Sequence, residues 1–259
     1  MSAEYTPPNP QSGNNGGSAT AVAATIVSDA IPAERAAFIR RTYAHLAGAI
    51  GIFTVLEVIL FQTTIPETFW NGLSAIPFSW MGVMGAFALV SWLASRVANF
   101  AESRELQYAA LGAYVLAEVT IFMPMLYIAS QVGGAQTISA AALLTLMLVT
   151  GLTVAVFATG ADFSWMKSIL CIGGFIAFGV CVASILLGFN LGIVFAAIMV
   201  CFAAGSILYD TSNILHHYRT DQHVGAALSL FASVGLLFWY ILRIVMSFSN
   251  FSISGDSDD

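Results

Sequence analysis

Apolar residues in this chain fall into seven runs, at 40–61, 78–97, 106–128, 137–159, 166–187, 190–210 and 226–247, with short polar breaks between them. Each run is about the 20 residues that an α-helix needs to cross a hydrocarbon core roughly 30 Å thick. None shows the period-two alternation over ten-residue segments that marks a membrane β-barrel. The pattern therefore predicts seven membrane helices and no strands. The fifth and sixth runs are almost continuous, and Gly188-Phe189-Asn190 between them predicts a tight turn rather than one very long helix.

Composition agrees with this all-α, polytopic class. Of 259 residues, 58% are hydrophobic and 8% are charged, against about 25% charged in a soluble domain. Residues 1–33 are rich in Pro, Asn, Gly, Ser and Ala, and predict a disordered tail. Their apolar stretch Ala19 to Val27 is too short to span, and no basic region precedes it as a cleavable signal would require. Residues 34–248 form the membrane domain, and 249–259 an acidic tail.

Charge then sets the orientation, since Lys and Arg accumulate in cytoplasmic loops. Arg35, Arg40, Arg41, Arg96, Arg104, Lys167 and Arg219 all fall on one side of a seven-span topology, while the loops at 62–77, 129–136 and around 188 carry no basic residue. The expectation is a cytoplasmic amino terminus, with Asp256, Asp258 and Asp259 on the opposite side of the membrane. The eight basic residues form no patch, so no nucleic-acid partner is implied. Cys171, Cys181 and Cys201 lie inside apolar runs without CxxC spacing, and read as packing thiols.

An ionisable group near the middle of a spanning helix costs about 2.5–3.5 kcal/mol or more, so each one raises a question of function. Glu118 is the deepest carboxylate in the predicted spans, with Pro124 six residues on. It reads either as part of an ion path or as a protonated group hydrogen-bonded between helices. Glu57 lies near the far interface, within reach of water. Asp210, at the cytoplasmic end of the sixth run, opposes the helix macrodipole and calls for a partner such as an Arg or a cation. Arg243 in the last run either snorkels or meets a carboxylate. His45 reads as a satisfied interfacial residue, and His216, His217 and His223 as solvated loop residues rather than a metal site.

The stretch Ile207-Leu-Tyr-Asp-Thr-Ser-Asn-Ile214, followed by Ala226-Ala-Leu-Ser-Leu230 and Trp239-Tyr-Ile-Leu-Arg-Ile244, resembles the carboxyl-terminal signature of the Bax inhibitor-1 (transmembrane Bax inhibitor motif) family. Arg40-Arg-Thr-Tyr43, Glu118 with Pro124, and Asp162-Phe-Ser164 resemble further family features in the same order, so the likeness covers residues 35 to about 248. It implies a seven-helix bundle with the last helix central. For bacterial members it also implies a pH-sensitive calcium leak, with two aspartates sharing a proton near a basic residue of the second helix. Asp210 matches the first aspartate and Arg96 approximates the base. The second aspartate is replaced: the family's Leu-Ser-Leu-Tyr-Leu-Asp is here Leu228-Ser-Leu-Phe-Ala-Ser233. Two close carboxylates cannot easily both ionise, which makes such a pair a proton sensor. With Ser233 that repulsion is gone.

Two functions follow as expectations. One is a passive cation conduit, for Ca²⁺ and affected by protons, gated near Asp210, with Ser233, Glu118 and Arg96 along the path and Asp210 as a Ca²⁺ ligand. The other is a non-conducting modulator of membrane-protein quality control or stress survival that binds a membrane protease or other membrane proteins. No cofactor is implied and no enzyme: HExxH, GxSxG and Walker motifs do not occur. The only lysine, Lys167, is not in the last run, where a retinal Schiff base would need it.

Overall fold

The computed structural model describes residues 25–101 and 103–255, with side chains to Ser249. Seven helices form it: α1 (Pro32–Leu60), α2 (Ile65–Ala75), α3 (Ser79–Phe100), α4 (Arg104–Thr159), α5 (Met166–Leu187), α6 (Ile193–His216) and α7 (His223–Gly255). Among the described residues, six of them, all but α2, are long and apolar enough to cross a membrane. α5 coincides with its predicted run. α1, α6 and α7 extend beyond theirs by several residues, because the polar ends of these helices continue the backbone ladder outside the apolar stretch.

α4 holds 56 residues in two limbs joined at Gly134, the one residue inside it with non-helical dihedrals (φ 67°, ψ −162°). Side chains from both limbs, Glu118 and Thr145 among them, line a single cavity. In a straight helix these two would stand about 40 Å apart at 1.5 Å per residue, so the chain doubles back at Gly134. The predicted loop at 129–136 thus shrinks to one glycine, the residue that tolerates this backbone region.

The loop predicted at 62–77 also changes. It contains α2, which opens with Pro66 in its first two positions and Glu67 in its first turn, a combination that favours a helix start. α2 packs against α4 and α3. Phe78, which follows Pro77 and precedes α3, is the only non-glycine with positive φ (61°) among the described residues.

α7 packs against α4, α6, α1 and α3. Val224, Ala226, Ala227, Leu228, Leu230, Leu237 and Leu242 are fully buried, and with Gly225, Ser233 and Tyr240 also buried the covered surface of α7 is not confined to one stripe. α5 is the opposite case. It buries none of its residues, and Ile172, Phe175 and Ile176 are exposed, an apolar outer surface suited to hydrocarbon rather than water. Cys171 and Cys201 share that outward exposure and Cys181 is half-buried, so the thiols are not core packing groups as the sequence suggested.

Contacts between helix ends gather one end of the bundle. His45 of α1 meets Tyr108 of α4 and His223 of α7. The Gln222 amide donates to the Asn99 carbonyl at the end of α3 (3.1 Å), and the Phe163 N–H donates to the Ser212 hydroxyl (2.9 Å). The residues before α1 join this end: Val27 donates to the Tyr218 carbonyl (2.9 Å), Thr220 to that of Thr25 (3.0 Å), and Val27 is fully buried. Residues 25–31, assigned above to a disordered tail, are therefore held by backbone pairing and by burial of a branched apolar side chain. Residues 1–24 and the acidic tail at 256–259 lie outside the described residues.

The turn at Gly134 gives a direct test. A Cβ there meets nothing within 4 Å, so only the positive φ opposes a side chain. Gly134→Ala is expected to lower stability by about 1–3 kcal/mol, measured by thermal unfolding in detergent. Gly112→Ala, in an open helical position, serves as the control and is expected to be neutral or stabilising.

Candidate functional site

Two polar groups stand on either side of α7. The first is centred on Asp210 of α6, half-buried, whose Oδ2 accepts a hydrogen bond from the Ser233 hydroxyl of α7 at 2.5 Å. Around it are the hydroxyls of Tyr43 in α1, Thr153 in α4 and Thr211 in α6, which face one another without a hydrogen bond of standard geometry. Tyr218 closes the group from the loop before α7, its hydroxyl 3.1 Å from that of Ser229. Burial raises the Tyr218 phenol above its ordinary pKa, and the Asp210 charge adds to this, so Tyr218 is a neutral hydroxyl throughout the physiological range.

The Asp-Phe-Ser turn after α4 braces this group from outside the spans. Asp162 Oδ1 accepts the Ser164 N–H (2.9 Å) and lies 3.4 Å from the Ser212 hydroxyl, two residues beyond Asp210. His217 Nε2 is 3.9 Å from Asp162 Oδ2. The backbone N–H of Ser164 holds the Asp162 carboxyl below its ordinary pKa, against the small opposing effect of desolvation.

The second group faces the opposite side of α7. Glu118 of α4 is buried and accepts a hydrogen bond from the Tyr114 hydroxyl, one turn earlier on the same face (2.9 Å). Its carboxylate lies against Gly235 of α7, where a Cβ would be 3.1 Å and 3.2 Å from the two oxygens, so glycine is what admits the carboxylate. Glu57 of α1 is also buried, at 5% exposure, and neither of its oxygens has a hydrogen-bond partner. Both glutamates line a cavity of about 480 Å³ between α1, the two limbs of α4, and α7. Glu57, expected to reach water at the interface, instead points inward. Ser233 and Gly235 are two residues apart and so about 200° apart around α7, which separates the Asp210 group from the Glu118 group.

Of the four residues singled out from sequence, the structure brings Asp210 and Ser233 into contact, sets Glu118 across α7 from them, and leaves Arg96 elsewhere. The Arg96 guanidinium lies over the Trp92 ring, 5.6 Å from its centroid, and among the described residues it makes no ion pair with Asp210. The one-turn spacing to Trp92 favours that local cation–π contact. Arg243 meets no carboxylate either; its Nη2 donates to the Leu191 carbonyl in the turn between α5 and α6 (3.0 Å), a group left without an intrahelical partner. His45 is satisfied by the Arg41 carbonyl (2.6 Å) and the Tyr108 hydroxyl (3.2 Å).

As a resident Ca²⁺ site Asp210 does not fit. It contributes one carboxylate, already engaged by Ser233, whereas Ca²⁺ takes six to eight oxygens. Among the described residues no three His, Cys, Asp or Glu side chains come together to hold a metal. What the arrangement offers is one carboxylate, hydrogen-bonded to α7, with several hydroxyls around it.

Sequence reasoning missed Tyr114, Gly235 and the inward aim of Glu57. Tyr114 was open to view at four residues before Glu118. Gly235 was not, because its importance lies in what approaches it from another helix.

Comparison with known proteins places the chain. The profile of the family described as "Inhibitor of apoptosis-promoting Bax1" matches residues 35–250, and the chain belongs to that family. Protein LIFEGUARD 4 of Arabidopsis thaliana is 37% identical over 111 residues, which cover 40% of this chain and 44% of the relative. Uncharacterized protein PA2604 of Pseudomonas aeruginosa is 29% identical over 126 residues, 48% of this chain and 54% of that one. The chain thus aligns with about half the length of these relatives.

Two outcomes test the site. Tyr114→Phe removes the hydroxyl that hydrogen-bonds Glu118 and is expected to cost about 1–3 kcal/mol, read as a lower unfolding midpoint in detergent. For Asp162 the folded pKa is the lower one, so its stabilisation is full above the unfolded value of about 3.9 and is lost as pH falls through the folded value. Between pH 5 and pH 3 the melting temperature of the wild type should fall more steeply than that of Asp162→Ala.

Proposed function

We propose that this Bax inhibitor-1 family chain is a passive cation conduit in a bacterial plasma membrane, carrying Ca²⁺ through rearrangement of α7 beside Asp210. Counting the limbs of α4 as two crossings makes a seven-span bundle around α7, with the amino terminus cytoplasmic and the carboxyl terminus on the far side. Support for that orientation comes from the gathered end of the bundle, which carries Arg35, Arg40, Arg41, Arg96, Arg104, Lys167 and Arg219, the signature of a cytoplasmic face.

The observation that carries the reading is the pair of carboxylate groups flanking α7. Asp210 lies six residues before the end of α6 at His216, while Glu118 and Glu57 line a cavity on the other side, and α7 at Ser233 to Gly235 stands between them. Intramembrane carboxylates placed in this way mark ion or proton routes. The hydroxyl at Ser233 replaces a second carboxylate, so Asp210 has no like-charged neighbour on α7 and the conduit lacks the two-carboxylate proton switch.

Purified protein in liposomes should pass Ca²⁺ above the level of empty liposomes, and Asp210→Asn should change that flux. Ser233→Asp should introduce a pH dependence between pH 5 and 8 that the wild type lacks, since two adjacent carboxylates then compete for ionisation. Absence of flux over this whole range defeats the proposal.

A further inference from the structure

The cavity between α1, α4 and α7, whose glutamates were read above as part of an ion route, has walls suited to more than a visiting metal ion. Its walls are largely apolar, with Phe53, Phe61, Phe122 and Phe238 among them, and the Thr54, Ser139 and Thr145 hydroxyls are committed to carbonyls of their own helices, a poor match to the six to eight oxygens that Ca²⁺ takes. Yet two carboxylates line it, and no Lys or Arg does. Glu118 is engaged by Tyr114. Glu57 is nine-tenths buried, and among the described residues neither of its oxygens has a hydrogen-bond partner. A buried carboxylate of this kind calls for a positive or hydrogen-donating group to meet it.

Position along the helices separates the two acids. Phe53 and Phe122 touch at 5.3 Å between ring centroids. Glu57 lies one turn beyond Phe53 toward the far end of the bundle, and Glu118 one turn before Phe122. In two helices that run the same way this sets them about 12 Å apart along the axis. Glu57 therefore heads an elongated apolar chamber floored by aromatic rings. Val58 and Leu146, which line the same chamber, are more than half exposed on the outer surface, so it opens sideways to where lipid chains would lie.

The geometry points to a binding site for a lipophilic organic ammonium ion, its charged nitrogen at Glu57 and its apolar body along Phe53, Phe122 and Phe238. The carboxylate supplies the counter-charge and hydrogen-bond acceptor, and the aromatic faces add cation–π attraction at the head and apolar contact along the body. A cavity of about 480 Å³ accommodates a molecule the size of a phenylalkylamine. This site does not require that the protein conduct, because no group of the Asp210 side takes part.

The test uses full-length protein in nanodiscs and radiolabelled 4-phenylbutylamine at neutral pH, with 4-phenylbutanol as the uncharged analogue and empty nanodiscs as the blank. Saturable binding is expected, about tenfold or more tighter for the ammonium than for the alcohol. Glu57→Gln should remove that preference while leaving the alcohol unaffected. Ala142→Leu, which narrows the chamber from the second limb of α4, should weaken both ligands and serves if Glu57→Gln does not fold. Binding no greater than the blank, an unchanged preference in Glu57→Gln, or full displacement by millimolar Ca²⁺ would overturn the assignment. Ca²⁺ flux in the same preparations reports on conduction separately.

Discussion

The packing of four helices against α7 is the constraint on which the rest of the bundle depends. The buried positions of α7, from Val224 to Leu242, are not confined to one stripe, so more than one neighbour has to cover it. Four neighbours, α4, α6, α1 and α3, surround it, and the polar groups that remain inside the bundle have to be reached through it. Asp210 finds Ser233 on one side of α7; Glu118 finds space at Gly235 on the other. Backbone groups cannot assist either acid from within a regular helix, since they are already paired along it.

Small side chains on α7 make these approaches feasible. A serine supplies a donor short enough to meet Asp210 at 2.5 Å. A glycine two residues later lets a carboxylate lie against the backbone, where a Cβ would come to 3.1 Å. The same economy appears at Gly225, where a Cβ would collide with the Asn99 amide oxygen. The α3–α4 junction is thus fixed on the start of α7 by the absence of a side chain. Close helix contacts inside membranes commonly rest on such small residues, because apolar burial gives no preference between protein and lipid.

The apolar runs made the helices legible, and the run at 166–187 located α5 to the residue. The Asp210 and Ser233 contact was legible through their place in the family signature. Hidden elements were of another kind. α2 was masked because Thr64-Ile65-Pro66-Glu67 reads equally as loop and as helix start until it packs on α4. The doubling back at Gly134 needed one dihedral rather than a polar loop. Glu57 was misread because depth along a helix was taken from the end of an apolar run, while the direction of the side chain depends on which neighbour covers that face. Arg96 was linked to Asp210 by position in the chain, and a ring one turn away captured it instead.

Rigidity of α7 ties the two polar groups together. Ser233 and Gly235 are separated by one residue of continuous hydrogen-bonded helix, so neither can shift without the other. A rotation that withdraws the Ser233 hydroxyl from Asp210 carries Gly235 away from Glu118 and brings a flanking side chain, Val234 or Leu236, toward the carboxylate. Glu118 cannot yield freely, because Tyr114 holds it from the preceding turn of α4, and Tyr114 is itself packed against Phe87 and Phe231. Phe231 is on α7 as well. The aromatic contact therefore resists the same rotation from a third direction, and the position of α7 is set jointly by a hydroxyl on α6's side, a glycine on α4's side, and a ring between them.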